Sequence, residues 1–472
     1  MRIRTFALLL ILLFLNACAS PYKPPDLGGL YNDLVQHESP HRNPVILIPG
    51  LLGTRLVENE SGRIAWGTFG LGGINPSTAA GAQRIGLPMA KGLKLSQLRD
   101  DLRPDLTLDR FVFNFMGYPL ELNTYAHILS VLGIGGYRDQ QSAEAGIVDY
   151  GDRHFTCFQF PYDWRRDIVE SAGELDRFIS VKRRYVQQEI EKRFGIKDYD
   201  VKFDIVAHSM GGLVARYYLR YGVQDLPEDG SLPNLNWAGS RHVEHLVMIG
   251  TPNAGSIKAI TALVDGYRPS ALLNRYPAAV LGTMPSAYQL LPRSRHRPIL
   301  DRGGQPVQDI FESALWQKNN WGLADPKQDR VLRFLLPDIH NPQARRQIAL
   351  EHLQKSLERA KQFAAAMDLP AKPPATLKYF LVAGDSEDTH KTARIGLNGR
   401  LTIVDKGPGD GTVLRQSALM DERRNGRKSG RLISPIYWSQ VLFLFSDHLD
   451  LTKDPAFTDN LLYFLLESPR DV

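Results

Sequence analysis

The 472-residue sequence holds only two cysteines, Cys18 and Cys157. A chain this long with so few thiols has no disulfide framework and no cysteine-rich metal site, so its stability must come from a buried apolar core. No apolar run is long enough to cross a bilayer as a helix. The longest, residues 6–15, falls well short of the roughly 20 residues required. The charge surplus is small: 57 basic against 51 acidic side chains give +6, and Arg2 and Arg4 supply two of those positives. That balance suits an anionic membrane surface and is too weak for a nucleic-acid-binding protein, so no nucleic acid partner is expected. With 43% apolar and 23% charged residues the composition is ordinary for a globular chain.

Arg2 and Arg4 followed by the apolar run read as a secretory leader. The run closes on "LNAC", residues 15–18, which resembles the bacterial lipobox. The expectation is cleavage of 1–17 and lipidation of Cys18, anchoring the protein to a membrane through several acyl chains. No aspartate occupies the second mature position, which points to the outer membrane, facing the periplasm. Residues 18–43 are polar and dotted with Pro21, Pro24 and Pro25, and read as a tether with a reach of about 25–30 Å.

Beyond the tether, short apolar runs alternate with helical patterns, the signature of an α/β fold with a mostly parallel sheet. Strands are expected at 45–48, 155–160, 203–207, 246–249, 379–383 and 441–445, with an amphipathic crossover helix carrying Leu175, Ile179, Val186 and Ile190. Residues 44–255 and 377–472 form the core in this reading. Two insertions interrupt it. Residues 58–101 are glycine-rich and read as a lid-like loop bearing Trp66, Phe69 and Leu71 against substrate, and 256–376 read as a helical cap. Within the cap, Asn341 and Pro342 have the chemistry of a helix start.

The stretch "VAHSMGGLVARYYL" sets Ser209 between a strand and a helix, with small residues Ala207 and Gly211 two positions to either side. A sharp strand–turn–helix of this kind exposes a serine hydroxyl as a nucleophile. Such a hydroxyl needs a base, and the base needs an orienting carboxylate, in the chain order Ser, Asp or Glu, His. Of the twelve histidines, only His390 and His448 lie beyond the cap. His448 follows the apolar run 441–445, where a mobile but well-placed base belongs. Two carboxylates compete as the orienting acid: Asp410 between glycines in "GPGDGTV", and Asp385 directly after the run 379–383. The negative charge that develops on an attacked carbonyl needs two backbone N–H donors. Met210 follows the nucleophile, and Leu51 lies in "IPGLLGT" at the end of the first strand.

In order along the chain, "PVILIPGLLGTRL", "FPYDWRRD", "AHSMGGLVARYYL", "GTPNAGS", "MPSAYQLLP", "GPGDGTV" and "SDHLDL" resemble the lecithin:cholesterol acyltransferase family, which includes lysosomal phospholipases and phospholipid:diacylglycerol acyltransferases. The resemblance implies an α/β-hydrolase fold with a cap, a triad of Ser209, Asp410 and His448, and oxyanion donors at Leu51 and Met210. It favours Asp410 over Asp385, and implies action on acyl esters of membrane lipids. No cysteine lies in 58–101, so the disulfide that staples the lid of animal members has no counterpart. Leu51 stands where some members carry an acidic residue.

Other signals carry less. Asp163 and Arg165 in "FPYDWRRD" read as a loop-shaping ion pair. His242 and His245 would point to opposite faces of a strand and share no metal. His208 is the variable residue of the serine turn and needs no role. The basic run Arg423–Arg431 reads as a solvated loop near the rim of the site, the alternative being contact with anionic lipid headgroups. No metal and no cofactor is expected, and nothing sets the oligomeric state. The expected function is a serine-dependent lipid acyl-ester hydrolase or O-acyltransferase. The alternatives are an esterase for soluble or polymeric esters and a catalytically silent lipid-binding lipoprotein of the envelope.

Overall fold

Continuous apolar runs of four to seven residues can be stable only if both faces of the resulting sheet are covered. In the computed structural model they are. It describes residues 26–36, 39–68, 73–108, 111–115, 118–122, 124–268, 274–423 and 430–469. Six strands, each on one of the expected runs, form the central sheet: β1 (Val45–Ile48), β2 (Cys157–Gln159), β3 (Phe203–His208), β4 (Val243–Ile249), β5 (Lys378–Gly384) and β6 (Gln440–Leu444). Their order is β6-β5-β4-β3-β1-β2, and every neighbouring pair is parallel.

Successive residues of each strand feed opposite layers. Ile46, Ile48, Phe203, Ile205, Leu246 and Leu381 join one apolar cluster, and Val45, Leu47, Val206, Val247 and Phe380 the other. Helix α1 (Thr124–Ile134) covers the second face with Tyr125, Ile128 and Leu132. Helices α2 (Ile168–Phe194) and α3 (Met210–Tyr221) cover the first. Asp167 starts α2 by accepting from Val169 N–H, and Gly195 ends it in the left-handed conformation that glycine adopts without steric cost.

The stretch after β4 is mainly helical, opening with α4 (Ile257–Asp265) and closing with the 27-residue α5 (Pro342–Asp368). Asn341 caps α5 by accepting from Gln343 and Ala344 N–H, with Pro342 in the first turn. The other end of α5 is held from α3. Arg216 Nη2 donates to Met367 O at 3.1 Å, Arg220 Nη2 to Leu369 O at 2.5 Å, and Tyr221 Oη to Ala366 O at 2.7 Å. These carbonyls lack helical partners and sit at the negative end of the helix dipole, so buried guanidinium groups suit them. The helix that follows the serine turn thereby docks the long helix of the insertion.

Where composition predicts a lid-like loop over 58–101, the described part is more ordered. Strands Thr54–Glu58, Ile64–Trp66 and Leu102–Thr107 form a small antiparallel sheet, with a helix at Ala79–Ile85 between the second and third. An unexpected hairpin, Glu387–Ile395 paired with Leu401–Gly409, leads directly into Asp410. Among the described residues no helix is long and apolar enough to cross a membrane.

Candidate active site

Strand β3 delivers its last residue into a turn so tight that Ser209 takes φ 51° and ψ −123°, outside the usual regions for a side-chain-bearing residue. The surroundings hold it there. Ser209 N–H donates to Ile249 O at 2.7 Å. A Cβ on Gly211 would lie 2.5 Å from Pro49 O, and one on Gly212 would lie 2.0 Å from Thr251 Oγ1. Glycine is required at both places by close approach.

The turn aims Ser209 Oγ at His448 Nε2, 3.0 Å away, and His448 Nδ1 lies 2.7 Å from Asp410 Oδ2. Asp410 is fixed in turn. Its Oδ1 accepts from Thr412 N–H at 2.9 Å and Val413 N–H at 2.6 Å, and its carbonyl accepts from His448 N–H at 2.9 Å. Burial opposes ionisation of this carboxyl, but His448 and the two N–H donors outweigh it and hold its pKa below the ordinary value. The competing carboxylate, Asp385, is engaged elsewhere, its Oδ2 2.8 Å from Arg415 Nη1. His390 lies on the hairpin strand Glu387–Ile395, so the histidine bonded to Ser209 is His448.

Leu51 and Met210 both stand at the site. A Cβ on Gly50 would come within 2.8 Å of Ser209 Cβ, so the loop carrying Leu51 rests on the serine. Among the described residues neither the Leu51 nor the Met210 N–H has an acceptor. The next residue, Leu52, takes a left-handed φ of 66°, and Trp66 Nε1–H donates to its carbonyl at 2.8 Å.

Ser209, His448 and Asp410 line a cavity of about 460 Å³ whose walls are chiefly apolar, with Leu52, Trp66, Ala262, Leu263, Leu281 and Leu290 among them. Trp66 is 7% exposed and packs edge-on against Trp164 and Tyr276. Of the three residues expected in a lid, it is thus a buried part of the cavity wall, while Phe69 and Leu71 lie outside the described residues, as does Cys18. Lys258, in the first turn of α4, also lines the cavity and donates through Nζ to Thr412 Oγ1 at 3.1 Å.

His208, which the sequence gives no need of a role, has partners on both sides of its ring. Its ring is buried, with Nδ1 3.1 Å from Tyr125 Oη and Nε2 3.2 Å from His448 O. Asp163 and Arg165 form a buried ion pair at 2.7 Å, extended from Arg165 to Asp100. Arg423 pairs with Asp421, and the middle of the basic run, 424–429, lies outside the described residues. Among the described residues no group of three or more His, Cys, Asp or Glu side chains could hold a metal ion.

Comparison with known proteins adds a family match and a set of similar structures. The family model described as lecithin:cholesterol acyltransferase matches residues 142–382. The crystal structure of a Tle4–Tli4 complex contains a chain similar at TM-score 0.55 and 16% identity, over 90% of this chain and 98% of that one. A lipase, BlEst2 from Bacillus licheniformis in mature form, is similar at 14% identity and TM-score 0.30, over 91% of this chain and 94% of its own. Phospholipase PlaB from Legionella pneumophila is similar at 11% identity and TM-score 0.31, over 74% and 58%. The first of these likenesses places the chain in the α/β-hydrolase fold. No curated protein is matched by the sequence.

Proposed function

The chain belongs to the lecithin:cholesterol acyltransferase family, and from that premise we propose that it cleaves acyl esters of membrane lipids through an acyl-Ser209 intermediate, passing the acyl group to water or an alcohol. One observation carries the reading: the unbroken line from Ser209 Oγ through His448 to Asp410, at 3.0 and 2.7 Å, at an apolar cavity. Ser209 Oγ attacks the ester carbonyl while His448 Nε2 takes its proton. Asp410 holds His448 Nδ1–H and stabilises the imidazolium. The carbonyl oxygen, now negative, sits between the Leu51 and Met210 N–H groups. Collapse breaks the bond to the leaving oxygen, which takes the proton from His448. Water or an alcohol then repeats the sequence on the acyl-Ser209 ester, with His448 again as base.

The cavity suits an acyl chain, and Lys258 beside it suits an anionic headgroup such as the phosphate of a phospholipid. Incubating the purified protein with mixed phospholipids, with and without a sterol or diacylglycerol, and following the lipids by mass spectrometry tests the proposal. Free fatty acid or a new acyl ester should appear with the wild type and not with Ser209→Ala. Product from both proteins, or turnover of soluble esters only, would overturn it.

The leader motif supports a location at the envelope, with acyl chains on Cys18 holding the protein in the outer membrane, facing the periplasm. Cys18→Ser should remain unprocessed or change fraction. A wild type found soluble with an unmodified cysteine would refute the anchoring.

A further inference from the structure

Two side chains outside the triad join both ends of the site through one line of hydrogen bonds. Gly50 N–H donates to Tyr125 Oη at 2.7 Å, Tyr125 Oη lies 3.1 Å from His208 Nδ1, and His208 Nε2 lies 3.2 Å from His448 O. A single arrangement of protons satisfies every member. Tyr125 Oη accepts from Gly50, so its own hydrogen goes to His208 Nδ1. The ring hydrogen then sits on Nε2 and is donated to the His448 carbonyl, which can only accept. Burial, and next the neighbouring His448, pull the His208 pKa down to about 3, so the ring stays neutral when His448 becomes charged.

The ends of this line are the parts of the machinery that no single strand or helix holds together. Gly50 directly precedes Leu51, so fixing its N–H orients the loop whose next peptide carries the oxyanion donor. The His448 carbonyl belongs to the base itself, and the two imidazole rings lie 5.1 Å apart. Both linking side chains are buried, Tyr125 at 3% and His208 at 2% exposure. Tyr125 arrives from α1, in the layer opposite α3, and a phenyl ring would fill that space equally well. The hydroxyl is what the packing does not require.

We propose that Tyr125 and His208 are positioning residues that keep the oxyanion loop and the base in register with one reacting carbonyl. The proposal rests on the triad reading above. Displacing a reacting group by about 1 Å can cost about a hundredfold in rate, so a partly relaxed loop should cost about tenfold.

The test uses the full chain and a soluble p-nitrophenyl ester, with kcat, KM, the rate of fluorophosphonate labelling and the melting temperature measured for each variant. Tyr125→Phe should lower kcat and the labelling rate about tenfold together, with KM and the melting temperature little changed. His208→Leu should do at least as much. His208→Gln, whose amide N–H can reach the His448 carbonyl, should recover most of the loss. Because the two residues act as one line, Tyr125→Phe combined with His208→Leu should be hardly worse than the poorer single variant. Undiminished kcat in Tyr125→Phe, or losses that multiply in the double variant, would overturn the proposal. So would a loss accompanied by a matching fall in melting temperature and no recovery in His208→Gln. Ser209→Ala separates the readings. If it is dead while Tyr125→Phe is fully active, the positioning inference alone fails; if it keeps turnover, the triad reading falls and takes the inference with it.

Discussion

Replacing Asp410 by asparagine removes one charge and almost no volume, and the surroundings dictate which way the amide must face. Oδ1 of Asp410 accepts from Thr412 and Val413 N–H, at 2.9 and 2.6 Å. Turning the amide nitrogen toward those two donors would leave both unmet, at about 1–3 kcal/mol each. The amide oxygen therefore stays with the backbone and the NH₂ group faces His448 Nδ1. Imidazole responds by changing tautomer: Nδ1 accepts from the amide, and the ring hydrogen moves to Nε2, 3.0 Å from Ser209 Oγ. In that state the base has no lone pair for the serine proton. The equivalent change in a serine protease triad lowers kcat by about 10⁴, or about 5.5 kcal/mol of barrier. Asp410→Asn should lose about three to four orders of magnitude in kcat on a p-nitrophenyl ester, with the melting temperature shifted by only a few degrees. Asp385→Asn, which loosens only the link to Arg415, should stay within about threefold of wild type. An Asp410→Asn enzyme within tenfold of wild type, or a crippled Asp385→Asn, would refute the assignment of the acid.

Gly50→Ala places a methyl group 2.8 Å from Ser209 Cβ and 3.2 Å from His208 Nδ1, so the loop must shift; kcat should fall about a hundredfold in steady-state assays, and a silent substitution would show that the loop does not rest on the serine. Trp66→Ala deletes a core side chain, so it should cost about 3–5 kcal/mol in denaturant unfolding and reduce activity on vesicles and soluble esters alike. Loss on vesicles alone with unchanged stability would mark Trp66 as part of a mobile cover. For Glu422, burial raises the pKa, but Arg295 and His296 outweigh it and hold the carboxyl at about 2. A folded-state pKa below the unfolded one stabilises fully above the ordinary carboxyl range and loses that contribution as pH falls toward about 2. Glu422→Gln should accordingly lower the melting temperature at pH 6 and match wild type near pH 2; an equal deficit at both would count against the charge pairing.

The sheet strands are legible because a parallel sheet covered on both faces demands apolar runs; β1 is one throughout, β4 and β5 carry them at 246–249 and 379–383, and β3 keeps one despite Asp204 near its start. Ser209 is legible for a backbone reason: the turn tolerates only small residues at fixed offsets, and those offsets can be read. The hairpin 387–409 hides because its strands are half-exposed and mix Thr, Lys and Asp with apolar residues, so no clean alternation survives. Its turn was nonetheless signalled, since "NG" at 398–399 supplies the two left-handed residues that the connection uses. Trp66 shows a different limit. Composition says such a ring is costly to leave in water, but whether it covers a cavity or builds its wall depends on Trp164 and Tyr276, which lie far away in sequence.

His208 lies furthest from anything a local pattern can reveal. Its partners are 83 and 240 residues away, one on a helix of the opposite layer and the other in the loop that bears the base. No spacing rule connects them. They meet because the order β4-β3-β1 brings the ends of those strands together, placing the Gly50 loop on one side of β3 and, through Gly250, the His448 ring on the other. A histidine beside the serine of a strand–turn–helix therefore acquires its partners from sheet order. Its protonation follows from the same cause: burial between those layers keeps the ring neutral, and a neutral ring can both accept from Tyr125 and donate to the His448 carbonyl.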